Sequence, residues 1–198
     1  MIPSKKANTF QSFCVCEAFL PFYPNLEFWH PARKGDYTEQ SSRTLDAIER
    51  VFLHFGIERR FKLVRIFCLD LIWMQRVSLY WWFFIEQISF CFSVMLNVCT
   101  LDKPLIVFTR DGIMMAFLGI VKWLGLLQAQ VFFEAHRYSR WEKVFSGLVD
   151  GVIAINGFVG KKFSTAQGRK VLVAHDAIRG TEFKEEKFRY GGFPKEKK

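Results

Sequence analysis

The sequence predicts an α/β fold built on a doubly wound, mostly parallel sheet of the Rossmann-like type. Four short apolar runs in the second half of the chain alternate with helical stretches: 105–109, 131–134, 152–155 and 171–174. Each run is continuously apolar rather than alternating, which is typical of parallel strands covered by helices on both faces. Hydrophobic residues form 51% of the 198 residues, enough to build the core of one such domain.

The first half of the chain supplies the remaining elements. The helical spacing of apolar residues around Phe13 predicts a helix that Asn8 caps. A short strand over 26–30 and a helix over 45–55 follow it. The bases of segment 59–65 then alternate with apolar residues before a long apolar helix begins.

Cap signals divide the second half into units. Ser139 with Glu142 predicts a capping box for the helix after the second run, and Asn156 opens the helix after the third. Beyond the fourth run, segment 180–198 is rich in Lys and poor in aliphatic residues. We therefore expect one domain over 1–179 and a linker or tail after it.

The segment 77–101 is almost continuously apolar and long enough to cross a bilayer. Glu86 lies near its centre, where a charge in a lone span would cost a few kcal/mol. We therefore expect a helix that is buried or lies in a membrane interface. A membrane-anchored protein in which this segment inserts remains an alternative.

The charge of the chain favours anionic partners. Lys and Arg number 28 against 19 Asp and Glu, a net charge of +9. Phosphates, nucleotides, nucleic acid and anionic membranes all fit that excess. The bases of 59–65 and the aromatic run 80–84 predict a membrane-surface patch, although a core helix beside a charged loop would leave the same pattern.

The cysteines and histidines predict no metal site. The five cysteines form no C-x-x-C pair and no zinc spacing with the four histidines, so we expect reduced core thiols in a cytoplasmic protein. The first six residues lack the apolar run of a signal peptide. No dinucleotide, P-loop or hydrolase motif occurs, which disfavours those three enzyme classes.

Polar residues after the first two runs form the main candidate site. Ligands of open parallel sheets bind beyond the carboxyl ends of the strands, where Arg110 and Asp111 follow one run and His136 the next. His136 could act as acid or base, while Glu134 and Asp111 could accept hydrogen bonds from sugar hydroxyls. Glu134 could equally cap a neighbouring helix, and His136 could simply fill a loop.

A second candidate lies at the start of the chain. Lys5 and Lys6 precede a helix whose free N–H groups attract anions, so they could hold a phosphate. Solvated surface lysines would show the same pattern.

Five segments of the sequence together carry a resemblance to a known family. Residues 2–9 lead into a helix as a phosphate or acceptor loop does. Residues 103–111 contain the end of a strand, and residues 131–136 contain a strand end of the pattern E-x-H. Segments 149–156 and 171–177 follow the pattern that closes an N-terminal domain. In these features the chain resembles the acceptor-side, N-terminal domain of glycosyltransferase family 4 type enzymes of the GT-B fold.

The resemblance implies a retaining transfer of a hexose from a nucleotide sugar to a lipid-linked or polysaccharide acceptor. It assigns Lys5, Lys6 and Asn8 to the acceptor or phosphate loop. It places the catalytic residues Glu134 and His136 in an interdomain cleft, which Arg110 and Asp111 support.

The resemblance also implies that parts of the enzyme lie outside this sequence. A central first strand should precede Ile2, and a donor domain should follow segment 180–198. The chain itself would then bind no cofactor, because the nucleotide sugar is the donor substrate of the complete enzyme. We expect a sugar or lipid-linked acceptor, a separately encoded donor domain and an anionic membrane as partners, and no nucleic acid.

Two readings compete with this one. A non-catalytic binding or regulatory module would keep the acceptor fold without a donor domain, and a membrane-anchored protein would insert segment 77–101. The expected location is the cytoplasm, either free or peripheral on the inner face of the membrane.

Overall fold

The computed structural model describes residues 7–33, 45–101, 105–164 and 171–174, and every statement about the fold concerns these ranges. Helices and parallel strands alternate along them. The helices are α1 Ala7–Phe19, α2 Leu45–His54, α3 Leu79–Cys99, α4 Gly112–Trp123, α5 Arg140–Phe145 and α6 Gly157–Ser164. The strands are β1 Glu27–Pro31, β2 Lys62–Ile66, β3 Leu105–Thr109, β4 Ala129–Ala135, β5 Gly151–Ala154 and β6 Val171–Val173. Two 3-10 turns, Ile72–Arg76 and Ser146–Leu148, precede α3 and β5.

The described strands form two parallel sheets. One sheet pairs β1 with β2, and the other has the order β3-β4-β5-β6. In the larger sheet Val107 lies opposite Val131, and Val152 lies opposite Val171. The prediction of an α/β fold with parallel strands is confirmed, and the arrangement is consistent with a Rossmann-like fold. The reversal of strand order that makes a sheet doubly wound lies within neither sheet.

Strand β2 is an element that the sequence analysis missed. Its bases Lys62 and Arg65 are exposed, whereas Ile66 is buried and pairs with Pro31 of β1. Leu63 and Val64 pack against different hydrophobic clusters, so the strand is covered on both faces. The sequence analysis interpreted the basic residues of this segment as part of a charged surface. A strand that is covered on both faces can nevertheless carry a basic side chain near each of its ends.

Three apolar clusters hold the helices on the sheets. Helices α1 and α2 cover one face of the smaller sheet, where the buried ring of Phe13 lies 5.1 Å from that of Phe28. Helices α3 and α4 cover a second cluster that contains Ile66 of β2 and Val131 of β4. Helix α6 closes a third cluster over the larger sheet.

Helix α3 connects the two sheets. The cluster that includes its Cys91, Val94 and Val98 also contains residues of β2 and of β4. The helix starts beyond the carboxyl end of β2, and near its other end Cys99 Sγ lies 3.5 Å from the carbonyl oxygen of Leu126, just before β4. It therefore runs antiparallel to the strands, as a crossover helix does.

The structure corrects two of the predicted caps. Asn8 lies inside α1, which already includes Ala7, a residue of higher helix propensity than Asn. Ser139 stands at the N-cap of α5 but makes no side-chain cap hydrogen bond, and Glu142 is buried instead of reaching back to it. The cap at Asn156 is confirmed, because its Oδ1 accepts from the backbone N–H of Val159 at 2.9 Å.

The cysteines are free thiols, but they are not all in the core. Cys68 and Cys91 are buried, Cys14 and Cys16 are half-buried, and Cys99 is exposed. Burial raises the pKa of Cys16 and that of Cys91 to about 12 each, against a weaker opposing effect of Arg110 on Cys16. Both thiols therefore stay protonated and unreactive at neutral pH.

Candidate functional site

The candidate site lies where β3 and β4 end side by side. Thr109, the last residue of β3, is in register with Phe133 of β4. Arg110 follows the first strand, while Glu134 belongs to the second and His136 comes just after it. Two adjacent parallel strands thus bring together three of the residues that the sequence analysis selected.

Arg110, Glu134 and His136 form a compact ionic cluster. Nη2 of Arg110 lies 3.0 Å from Oε1 of Glu134, and Nε2 of His136 lies 2.7 Å from the same oxygen. Nε of Arg110 is 2.9 Å from Nε2 of His136. The Glu134 side chain is 7% exposed and that of His136 30%, so the carboxylate is buried beneath an imidazole that solutes can reach. The described contacts of the Glu134 carboxylate go to the side chains of Arg110 and His136, and not to the start of a neighbouring helix.

The position of a proton decides which partner His136 takes. Protonated at Nε2, the ring donates to Glu134, and unprotonated there it accepts from Arg110. One nitrogen cannot do both at once. The tautomer therefore also decides the state of Nδ1, which is unprotonated when Nε2 donates to Glu134 and carries the ring proton when Nε2 accepts from Arg110.

Helix α1 fixes the position of Arg110. Its Nη1 donates to Oγ of Ser12 at 3.2 Å, and its Nη2 donates to Oε1 of Gln11 at 3.1 Å. These contacts lie almost a hundred residues apart in the chain, and the sequence carried no signal for them. They join the first helix to the edge of the larger sheet.

Asp111 serves mainly as a helix cap. Its side chain accepts from the backbone N–H of Met114 at 2.8 Å, which satisfies one of the free donors at the start of α4. The residue also lines the cavity beside the cluster. Its role is therefore to fix the loop after β3, and it stays outside the ion pairs around Glu134.

A cavity of about 380 Å³ opens beside the cluster. Its walls contain residues from α1, from the ends of β3 and β4 and from α5: Ser12, Arg110, Asp111, Gly112, Phe133, His136, Arg137 and Glu142. That volume is within the range of small-molecule sites. The lining combines cations, carboxyl groups and one aromatic side chain, a set that can hydrogen-bond a polyhydroxy compound.

Glu142 is the least expected member of the lining. It is 5% exposed, and within the described residues its Oε2 atom has no hydrogen-bond partner. Burial raises the pKa of this carboxyl group, Arg137 opposes that effect, and Asp111 adds to it. The group can therefore hold a proton where an exposed carboxyl could not, and donate it in a hydrogen bond.

Gly112 leaves room for Glu142. A Cβ atom at this position would lie 2.7 Å from Cη2 of Trp141 and 2.8 Å from Oε1 of Glu142. Residues 141 and 142 therefore approach the start of α4 only because residue 112 lacks a side chain. The S-x-x-E pattern had assigned Glu142 to a helix cap and so concealed its place in the cavity.

The structure describes no side chain for three other predicted site residues. Lys5 and Lys6 lie outside the described residues, and only the backbone of Asn8 is described, within α1. Among the residues that the structure does describe, no group of three His, Cys, Asp or Glu side chains could hold a metal ion.

Comparison with known proteins gives no match for this chain among protein families, curated proteins or solved structures.

Proposed function

We propose that this chain is the acceptor-side half of a nucleotide-sugar-dependent glycosyltransferase of the GT-B type. In that role it binds a saccharide or lipid-linked acceptor, and a second domain supplies the donor sugar. The cluster of Arg110, Glu134 and His136 beside an open cavity is the observation that carries the proposal. A transferase must orient one acceptor hydroxyl and remove its proton.

The chemistry of the cavity supports a sugar ligand. His136 can take the proton of a hydroxyl at Nδ1 when its Nε2–H donates to Glu134, whose carboxylate then balances the charge of the ring. Arg137 can bind a further hydroxyl group as a donor, and Glu142 can bind one through its carboxyl oxygens. Phe133, a buried member of the apolar cluster under α6, contributes an apolar part of the cavity wall.

The division into two sheets is also in keeping with the proposal. In the family that the chain resembles, a central strand separates the pair corresponding to β1 and β2 from the strands that follow. The described residues include no strand between these groups, and helix α3 packs on both. A strand joining the two sheets would restore the reversal of strand order of a doubly wound sheet.

Binding measured by NMR tests the proposal on the chain itself. Soluble oligosaccharides should bind, and His136→Ala should weaken that binding roughly tenfold, as expected for loss of one hydrogen-bonding group. The exposed His54 on α2 provides the matched control, and His54→Ala should bind normally. Nucleotide sugars should bind weakly and should not be turned over.

Three results would contradict the proposal. If the folded chain does not bind saccharides, it has no acceptor site. If it binds nucleotide sugars more tightly than saccharides, it is a donor-side domain. Turnover of a nucleotide sugar by the chain alone would show that no second domain is needed. A non-catalytic module of the same fold would bind saccharides but would still fail to transfer sugar when joined to a donor domain.

A further inference from the structure

Helix α3 presents an apolar surface that no described part of the chain covers. By length and composition it is one helix that could cross a membrane, but it is packed on the protein through Glu86, Cys91, Val94 and Val98. Its exposed residues include no charged side chain. An amphipathic helix of a globular protein normally turns polar residues outward, so this face requires a partner.

The surface has two parts. The first, which we call the aromatic surface, is formed by the 3-10 turn and the first turns of α3, and its side chains are between 40% and 77% exposed: Ile72, Trp73, Val77, Leu79, Tyr80, Trp81, Phe83 and Phe84. The second is a strip at four-residue intervals along the same helix, made of Ile88, Phe92 and Leu96. Together they run most of the length of α3.

The charged group of α3 is turned away from this surface. Glu86 is buried and forms an ion pair with Arg33, just beyond the carboxyl end of β1. The helix therefore hides its only acidic residue against the protein. Whatever covers the opposite face meets an uncharged surface.

A basic residue borders the aromatic surface. Arg76 is exposed and is the only charged residue between Asp70 and Glu86. Arg33 does not border it, because it pairs with Glu86 on the face of α3 that is turned away from this surface. Arg65 donates through Nη2 to the carbonyl oxygen of Arg33 and so lies with it.

Two further bases of segment 59–65 do not belong to this surface. Arg60 pairs with Glu49 of α2, and Lys62 pairs with Glu27 at the amino end of β1. They lie at the opposite end of the smaller sheet, because Lys62 begins β2 whereas α3 starts beyond its carboxyl end. The predicted patch is therefore corrected: Arg60 and Lys62 lie away from the aromatic run, and Arg76 is the base beside it.

We propose that the aromatic surface binds an anionic lipid bilayer, with α3 lying in the plane of the interface. Trp and Tyr side chains prefer the boundary between water and hydrocarbon, and Arg76 beside them suits anionic headgroups. Consecutive residues of the first turn of α3, Leu79, Tyr80 and Trp81, are all more than half exposed, as for a helix end that enters a lipid surface. A second copy is disfavoured because each copy carries the same excess of positive charge.

This orientation would place the candidate site near the membrane. The aromatic surface begins at the carboxyl end of β2, and Arg33 connects that end with α3. The cavity lies at the carboxyl ends of β3 and β4. A lipid-linked ligand could therefore approach from the bilayer, but the membrane proposal stands without any particular chemistry at the site.

Vesicle co-sedimentation of the full chain tests the proposal with a matched pair of variants. Leu79 on the aromatic surface and Leu53 on α2 are both 66% exposed, and they lie on opposite sides of the smaller sheet. Leu79→Ser should weaken binding to vesicles of phosphatidylcholine and phosphatidylglycerol roughly tenfold, because a buried leucine side chain is lost from the contact. Leu53→Ser should bind like the unaltered chain.

The charge contribution has its own measurement. Arg76→Gln should weaken binding to the anionic vesicles about fivefold and leave binding to pure phosphatidylcholine unchanged. Added salt should weaken binding to the anionic vesicles and leave binding to pure phosphatidylcholine unchanged. Circular dichroism of each variant checks that the fold is kept.

Several outcomes would overturn the proposal. Equal effects of Leu79→Ser and Leu53→Ser, or no vesicle binding by the folded chain, would remove the aromatic surface as a lipid site. Resistance to carbonate extraction would show that α3 inserts instead of lying in the interface. If the chain does not bind vesicles but forms dimers, and Leu79→Ser dissociates those dimers, the surface binds a second copy of the chain. None of these outcomes bears on saccharide binding, so the two proposals can fail separately.

Discussion

Nε2 of His136 lies 2.7 Å from Oε1 of Glu134, two residues earlier in the chain. In a regular strand, residues two apart point to the same side, and here the strand ends between them. The imidazole can therefore turn toward the cavity while it stays in contact with the buried carboxylate. Arg110 contacts both residues and balances the charge of Glu134.

The Arg110–Glu134 pair should be important for stability. The two side chains are 16% and 7% exposed, so Arg110→Met would leave a carboxylate buried without its strongest partner. We expect a loss of about 3–5 kcal/mol in the free energy of unfolding, measured by urea denaturation.

A variant without both charges distinguishes the contribution of the ion pair to stability from the contribution of the surrounding packing. The double variant Arg110→Met with Glu134→Leu should regain much of the lost stability, because no unpaired charge remains buried. Losses that simply add in the double variant would show that the two residues act independently.

Gly112 should not tolerate even one added methyl group. In Gly112→Ala the new Cβ would overlap Trp141 and Glu142, and the resulting displacement should cost about 1–3 kcal/mol. Gly157 starts α6 with no atom within 4 Å of an added Cβ, so Gly157→Ala should be neutral or slightly stabilising. Thermal or urea unfolding measures the stability of the two variants. If Gly112→Ala is as stable as Gly157→Ala, α5 does not approach α4 as described.

Glu142 should make stability depend on pH. Its folded-state pKa is raised above the usual 4.5, so between these two values the folded chain holds a proton that the unfolded chain has released. Stability should therefore fall as pH rises through this window. Glu142→Gln keeps the shape and removes the titration, so it should be more stable than the unaltered chain above the window and equal to it below.

A matched control is available for the Glu142 experiment. Glu58 is an exposed carboxyl in a loop, and Glu58→Gln should change stability little. A stability difference between Glu142→Gln and the unaltered chain that does not vary with pH would contradict a raised pKa.

The sequence predicted the elements better than their assembly. Continuous apolar runs identified β3 to β6, and helical spacing around Phe13 identified α1, because these patterns are local. Strand β2 was missed since Lys62 and Arg65 made it look like surface. The separation of the strands into two sheets depends on pairing between distant segments, which no local pattern records.

Some features of the candidate site could likewise be predicted from local sequence patterns, and others could not. Arg110, Glu134 and His136 could be predicted, because parallel strands bring their carboxyl ends to one edge. The contacts of Arg110 with Gln11 and Ser12 could not, since they join distant parts of the chain. Glu142 was assigned to a cap because an S-x-x-E pattern carries no information about which way the side chain turns in the folded protein.

The most direct test of the central claim is the rate of sugar transfer by His136→Ala in a protein that joins this chain to a donor-binding domain. Arg110 still pairs with Glu134 in this variant, so the loss of the His136 hydrogen bond should lower stability by only about 1–2 kcal/mol and leave the chain folded. Turnover should fall on the order of 100-fold, because in the proposed reaction the ring takes the proton of the acceptor hydroxyl. His54→Ala, at an exposed position of α2, should keep normal turnover. Near-normal turnover in His136→Ala, or loss of the fold in that variant, would contradict the account.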